Sequence, residues 1–431
     1  MQGLKMIKVM IYGQNVGYLS KINNKIEFSY DRDFLNSGLE LSPLLLPLQE
    51  GIFSPTPFRD TTFKGLPHFI ADALPDHFGN RLIDSFFAKK GISPANVSVL
   101  DRLSYVGNKA IGALEFEPMH VTKASTQHML EIKKIIADAR KAIRGEIDEV
   151  SADFIHIGSS AGGARPKALI AINHNTNEIV AGNEQIPEGF EHYLIKFDGI
   201  NPTDHTAVPD ALGGYTNIEY AYHLMAVKCG LTMQSCSQLH EGNALHFLTS
   251  RFDRNHNKKT HVQTLCGMTG IDYNQLQIAS YSDFFATVKN LELSHESRQQ
   301  AFKRMVFNVV TVNHDDHTKN FSFTMEQDGR WALSPAYDLT FNFGKNANSW
   351  TKEHCLLING KGIHFTSEDL IKESEGLDLS RNERMEMVES IVEIVSKEWR
   401  IFAKQSRVHQ LKIERIEKEI NQAVKQLRRG L

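Results

Sequence analysis

A chain of 431 residues, 41% hydrophobic and 23% charged, is too long for one core of ordinary size and too apolar for disorder, so two or three packed units are expected. Its net charge of −3 provides no global field that would draw it onto nucleic acid or an anionic membrane, so any such contact is local or made through a partner. The four cysteines, Cys229, Cys236, Cys266 and Cys355, form no CxxC pair and support neither a zinc ribbon nor a disulfide framework, in keeping with a reducing cytoplasm.

The opening stretch, MQGLKMIKVMIYGQNVGYLSK, alternates apolar and polar residues and turns between Gly13 and Gly17, which predicts a strand and hairpin rather than a signal peptide. No run of about 18 apolar residues occurs, so no membrane partner is expected and a cytoplasmic protein is. Residues 1–125 mix strand-like runs (IKVMIYG, IEFSY, AIGALEFEP) with one helical stretch, HFIADALPDHFGNRLIDSFFAKKG, and read as an α+β unit. A polar helical segment from about Gln127 to Ile147 leads into a β-rich region, 126–253, with strands in FIHIGSS, KALIAI, HYLIKF and ALHFLTSRF. The helix NIEYAYHLMAVKCG falls between the third and fourth of these and stops at Gly230, a suitable C′ glycine. From 254 to 431 the pattern is helical: FFATVKNL, RQQAFKRMVFNVVTV, a short strand pair NFSFTM and WALSP, then helices to the end. The last one places Ile413, Ile416, Ile420, Ala423 and Leu427 on one stripe, with Lys425, Arg428 and Arg429 at its C-terminus, where cations suit the helix dipole.

The densest set of reactive side chains is NHDDHTKNF, residues 313–321, where an apolar helix stops. A metal cage, a solvated turn and a phosphoryl-transfer loop all compete for it. Four consecutive residues, His314 to His317, cannot all point at one ion, which weakens the cage. Asp315 and Asn320 have the D-x-x-x-x-N separation of a kinase catalytic loop, in which Asp positions and deprotonates a hydroxyl and Asn offers an amide oxygen to Mg²⁺. A second metal ligand should follow a hairpin, and SPAYDLTFNFG supplies Asp338.

GSSAGGARPKALIAI, 158–172, reads as a glycine-rich loop between two strands; Ala rather than Ser or Thr follows Lys167, so it is not a Walker A loop. Its backbone N–H groups with Arg165 or Lys167 could approach phosphates, and a plain hairpin turn is the alternative. Lys196 lies in the apolar strand HYLIKF and calls for an anion, either phosphate or a carboxylate such as Glu219, unless it snorkels to water. FLTSRFDR precedes the helical part, as a kinase hinge would, with Ser250 to Phe252 reading adenine through the backbone and Asp253 reaching a ribose hydroxyl.

SAGGARPK, HYLIKF, NIEYAYHL, SRFDR, NHDDHTKNFSF and SPAYDL, in this order, resemble the HipA-like serine/threonine kinases, toxins of bacterial HipBA toxin-antitoxin modules. NVGYLSK, LSPLLLPLQEG, ALPDHFGNRLID and LSYVGNKAIGALEFEP resemble that family's N-terminal subdomain, so the likeness spans nearly the whole chain. It implies an α/β plus all-α, two-lobed protein-kinase-like fold that uses ATP and Mg²⁺. By the same resemblance Asp315 is the catalytic residue, Asn320 and Asp338 are the metal ligands, and Lys196 is the phosphate-binding lysine. Ser250, Phe252 and Asp253 then face adenine and ribose, and His317 is the family's loop histidine. The family's SxxGxQxK loop falls on Ser160, Gly163, Arg165 and Lys167, with Ser160 or its neighbour Ser159 as an autophosphorylation site.

The chain departs from the family pattern at Arg165, for glutamine, at Ser250, for an acidic hinge residue, and at Asp316, an extra charge of no evident role. The implied partners are a protein substrate, a translation component such as an aminoacyl-tRNA synthetase, and a HipB-like helix-turn-helix antitoxin through which DNA is reached only indirectly. Two rival readings keep the fold: a binding module without catalysis in a repressor complex, and a small-molecule phosphotransferase.

Overall fold

In a computed structural model of the chain, residues 4–23, 25–54, 62–120, 129–160, 163, 165–198, 214–242, 244–343 and 350–430 are described. They form two units. The first comprises Met1–Gly213, Leu239–Gln263 and Met325–Arg330; the second comprises Gly214–Gln238, Thr264–Thr324 and Trp331–Leu431. Packing thus crosses chain order, since the helix Tyr215–Lys228 belongs to the second unit and the hairpin tip 325–330 to the first.

The first unit opens with an antiparallel sheet in the order Lys25–Tyr30, Gln14–Ile22, Met6–Ile11, Leu114–Glu117. Alternation in MIKVMI buries Ile7, Val9 and Ile11, as a sheet covered on one face requires. Gly17 is needed where strands approach closely, because a Cβ there would overlap the carbonyl oxygen of Ser29. The expected single helix of residues 68–91 is two, His68–Ala71 and His77–Ala88, parted around Pro75, whose missing N–H cannot join a helix interior. The polar linker forms the helix Ile132–Ile143; Gln127 lies outside the described residues.

The second sheet of this unit runs Glu178–Ala181, Lys167–Asn173, Glu191–Lys196, Ala244–Ser250, and ends with the part of Cys236–Glu241 from Leu239 on. Strands read from KALIAI, HYLIKF and ALHFLTS are therefore observed. FIHIGSS is not a strand: it is the helix Ala152–Gly158, started by Ser151, whose side chain accepts from the Phe154 N–H. A short apolar run has no period of its own, and the N-cap settles its form. The glycine-rich loop consequently joins a helix to a strand rather than two strands.

In the second unit seven α-helices pack among the described residues, with a hairpin of Ser322–Met325 and Trp331–Leu333. Tyr222 lies edge-on to Phe307 and Trp399 at ring separations of 6.2 and 5.7 Å, its hydroxyl donates to the carbonyl of Thr311 at 2.5 Å, and the Trp399 indole donates to Ile413 O at 3.1 Å. Buried aromatic polar tips are thus satisfied by backbone, which ties four helices together. The terminal stripe is buried as expected at Ile413, Ile416, Ile420 and Leu427.

Candidate functional site

In the first unit the serine pair sits at the C-terminus of the helix Ala152–Gly158. Ser159 and Ser160 are 1% and 7% exposed. The Ser159 hydroxyl is 3.2 Å from the Tyr105 hydroxyl and 3.2 Å from the carbonyl of His156. Beneath it Lys109 is buried over the Tyr105 ring, 4.4 Å from its centroid, and burial pushes its ammonium down to about 8. Neither serine can take a phosphate in place. Residues 161, 162 and 164 lie outside the described residues, but Gly163 is fixed: its N–H donates to Asp76 Oδ2 at 2.7 Å and its φ is +99°. A Cβ there would meet only the flexible end of the Lys167 side chain, so it is the positive φ that calls for glycine.

Lys167 and Lys196 are directly paired in the antiparallel register, and directly opposed residues share a face of the sheet. Two cations on one face favour an anion beside them. Farther along, Ser250 pairs with Tyr193, and the Arg251 N–H donates to His192 O at 3.1 Å, so this segment leaves the sheet with its backbone still held; Phe252 is half-buried.

Asp253 does not fit the ribose contact expected of it. Its oxygens accept from Arg251 Nε (2.9 Å) and a second Arg251 nitrogen (2.7 Å), from Arg254 (2.6 Å) and from the Gly112 N–H (2.8 Å), and it is 3% exposed. Burial alone would raise this carboxyl, but the Arg251 and Arg254 guanidiniums overcome it and hold the group well below the usual carboxylate range. It is an internal brace with its acceptors spent.

In the second unit the helix His295–Thr311 stops at Val312, a β-branched residue at φ +58°, and the chain then runs through the cluster. Asp315 Oδ2 accepts from Asn342 Nδ2 and Oδ1 from the Trp350 indole, both at 2.9 Å. Asn320 Nδ2 donates to the Asp315 carbonyl at 2.6 Å, which engages the amide nitrogen and leaves Oδ1 as the atom able to meet a cation. His317 Nε2 stands 3.9 Å from Asp315 Oδ1, and its ring is 5.5 Å from that of Tyr273. Burial first, then the charges of Asp338 and Asp316, push the Asp315 carboxyl above its ordinary value against the opposing pull of His317 and Trp350. Asp338 adopts the left-handed region, φ +56°, which Asp tolerates better than most residues.

Asp316, unexplained by sequence, is structural. Its side chain is fully buried; Oδ2 lies 2.7 Å from both the Tyr281 hydroxyl and His354 Nδ1, and Oδ1 accepts from the Cys355 N–H at 2.8 Å. Tyr281 also receives Asn308 Nδ2 at 3.0 Å. His314 is a buried wall: its ring lies 4.3 Å from that of His354, and burial, then His354, push it down to about 3, so it is neutral. The two consecutive aspartates are thereby held by different donors, Asn342 and Trp350 for one and Tyr281, His354 and Cys355 for the other.

Among the described residues no group of three or more His, Cys, Asp or Glu side chains could hold a metal. Mg²⁺ asks for less, one or two hard oxygen ligands with the remainder from phosphate and water. Asn320 and Asp338 fit that demand, and the electrostatic cost that Asp338 imposes on Asp315 is one a dication would relieve.

Residues 159–399 match the HipA-like C-terminal domain, and residues 7–117 match the HipA N-terminal domain. The chain belongs to the HipA-like family. The solved HipA of Shewanella oneidensis MR-1, from a complex of a toxin-antitoxin system with HipB and operator DNA, is 17% identical, with 98% of this chain and 97% of that one covered and a TM-score of 0.66. The Helicobacter pylori proinflammatory kinase CtkA is 12% identical over 56% of this chain and 89% of its own, with a TM-score of 0.36. The HipA match gives the fold of that chain, in keeping with the α/β plus helical class that the sequence led us to expect. No helix among the described residues is long and apolar enough to cross a membrane.

The structure brings Asp315, His317 and Asn320 together in the second unit, with Asp338 close enough to perturb Asp315. Lys167 and Lys196 meet in the first unit, Ser250 and Phe252 lie at its strand end, and Glu219 is buried on the helix Tyr215–Lys228 of the second. Sequence reasoning missed Asn342, Trp350, Tyr281 and His354. They hold Asp315 and Asp316 from 27 to 38 positions away, and no local pattern marks them.

Proposed function

We propose that this HipA-like chain is an ATP-dependent protein serine/threonine kinase of the toxin type. It would act on a protein substrate, a translation component such as an aminoacyl-tRNA synthetase, and on its own Ser160 or Ser159, with growth arrest as the outcome. The observation that carries the reading is Asp315: a carboxylate at a helix end, gripped by two neutral donors, raised in pKa, with Asn320 bound to its own carbonyl.

In this mechanism Asp315 accepts the hydroxyl hydrogen of the substrate serine or threonine and holds its oxygen for attack on the γ-phosphate. The raised pKa makes its ionised form a better proton acceptor than an ordinary carboxylate. Lys196 and Lys167 offset phosphate charge, and Asn320 and Asp338 would hold Mg²⁺, which when bound supplies neutralisation of the charge developing on the phosphate oxygens. The backbone from Ser250 to Phe252 is the candidate reader of adenine.

A phosphate on Ser159 or Ser160 would add nearly two negative charges where the hydroxyls are buried, so modification requires this helix end to come out of its seat. Loss of the Lys167 side chain's place over Gly163 would follow. A helix-turn-helix antitoxin of the HipB kind is the proposed partner, with DNA contacted through it, in the cytoplasm; the Shewanella protein solved with HipB and operator DNA supports that part.

The test is phosphate transfer from γ-labelled ATP by purified protein with Mg²⁺, wild type against Asp315→Asn. Label on the protein in wild type alone is expected. Equal label in both, or none with wild type at saturating ATP, ends the kinase reading and leaves the binding module.

A further inference from the structure

Asn320 and Asp338, the two residues fitted to Mg²⁺, stand on separate chains at the open end of one hairpin. Asn320 lies two residues before the strand Ser322–Met325, and Asp338 five after Trp331–Leu333. The Ser334 N–H donates to Ser322 O at 3.0 Å, and beyond that bond Pro335, Ala336 and Tyr337 lead to Asp338 through several soft dihedrals. A cation that demands near-octahedral oxygen ligands at about 2.0–2.1 Å tolerates little play between the two chains.

Tyr337 spans that gap. Its hydroxyl donates to the carbonyl of Lys319 at 2.7 Å and lies 2.5 Å from the Ser322 hydroxyl. The phenol has one hydrogen, which goes to the carbonyl because a carbonyl only accepts, so Ser322 is the donor in the second bond. One oxygen therefore grips the chain on both sides of Asn320, from a residue joined by a peptide bond to Asp338. The grip has a firm base: the Ala336 N–H donates to Thr232 O at 2.8 Å, and the buried Arg304 guanidinium donates to Ser334 O. Ser322 is 1% exposed, which shields its hydroxyl from water. The Asn320 amide is turned separately, by the Asp315 carbonyl at 2.6 Å. The rotation of this ligand and the place of its turn are thus set by different groups.

We infer that Tyr337 is a positioning residue for the divalent cation: its hydroxyl fixes the separation of Asn320 and Asp338, and cation affinity depends on it. The inference rests on the reading of those two residues as metal ligands. Groups that hold metal ligands in place without touching the metal typically change its affinity by about 10- to 100-fold when removed.

The probe is Mn²⁺ in place of Mg²⁺. Free Mn²⁺ is followed by electron paramagnetic resonance as full-length protein is titrated in beside a fixed concentration of a non-hydrolysable ATP analogue. Uptake by wild type beyond that of Asn320→Ala defines the protein's own site. Tyr337→Phe, which keeps the ring, should raise the Kd of that site about tenfold. An unchanged Kd, whatever the melting temperature, makes the hydroxyl a brace of the turn alone and overturns the inference, while the kinase reading stands. If wild type and Asn320→Ala take up Mn²⁺ alike, the metal reading falls and carries this inference with it. Should Tyr337→Phe not fold, Ser322→Ala opens one side of the clamp instead: a rise of about threefold supports the inference, and none overturns it.

Discussion

SRFDR and NHDDHTKNF are two charge-dense runs among the candidate residues, and folding gives their carboxylates opposite chemistry. In the first, Asp253 takes two guanidiniums and a backbone N–H, and its carboxyl is held well below the usual range. In the second, Asp315 takes two neutral donors, faces two further carboxylates, and is pushed up. A carboxylate paired with full positive charge is braced and chemically quiet. One held in place without being neutralised keeps basicity for a reaction, so the environment of each carboxylate carries the functional meaning, while charge density by itself carries none.

The largest effects break this comparison outright. Asp315→Asn should cut phosphate transfer by about 10²- to 10⁴-fold, the range for loss of a general base, with the circular dichroism spectrum unchanged. Because its carboxyl is raised in the folded state, ionised Asp315 opposes folding above that pKa, so Asp315→Asn should melt no lower than wild type at neutral pH; the advantage should fade as acid protonates Asp315 in both states. Asp253→Ala should do the reverse. It leaves two buried guanidiniums without their carboxylate and should cost about 3–5 kcal/mol in denaturant unfolding.

The pH dependence sharpens the contrast. Asp253 has a depressed folded pKa, so its contribution is full above the unfolded carboxylate value of about 3.9 and is lost as pH falls below it. The gap in stability between wild type and Asp253→Ala should therefore narrow in acid. A gap constant from pH 7 to pH 3 would show that Asp253 acts through packing rather than charge.

How far the sequence carried this depends on whether a feature is local. Strands in KALIAI and HYLIKF, the C′ glycine at 230, and the closeness of Asn320 to Asp315 are written in neighbouring residues, and they were legible. FIHIGSS was misread because so short a run fits either period, while the deciding signal was a cap at Ser151 outside the motif. Asp253 and Asp316 were opaque for a different reason. The two guanidiniums on Asp253 come from its own motif, but that they turn onto it rather than leave it free, and that Gly112, 141 positions away, joins them, emerges only on folding. The same holds for the partners of Asp316, which are Tyr281, His354 and Cys355, 35 to 39 positions away.

Asp316 and Tyr281 give the finest test, since Asp316 adjoins Asp315 yet is braced like Asp253. Asp316→Asn should cost about 1–3 kcal/mol, because a buried acceptor for three donors loses one oxygen. Tyr281→Phe removes one of those donors and should cost about 1 kcal/mol, with the Asp316 carboxylate still served by His354 and the Cys355 N–H. The two residues share a hydrogen bond, so the double variant should cost less than the sum of the single ones by about 0.5 kcal/mol or more. Strict additivity in urea unfolding would mean that the Tyr281 hydroxyl is held by Asn308 alone. Asp316 would then hold the 354–355 segment without reaching the helix Tyr281–Asn290.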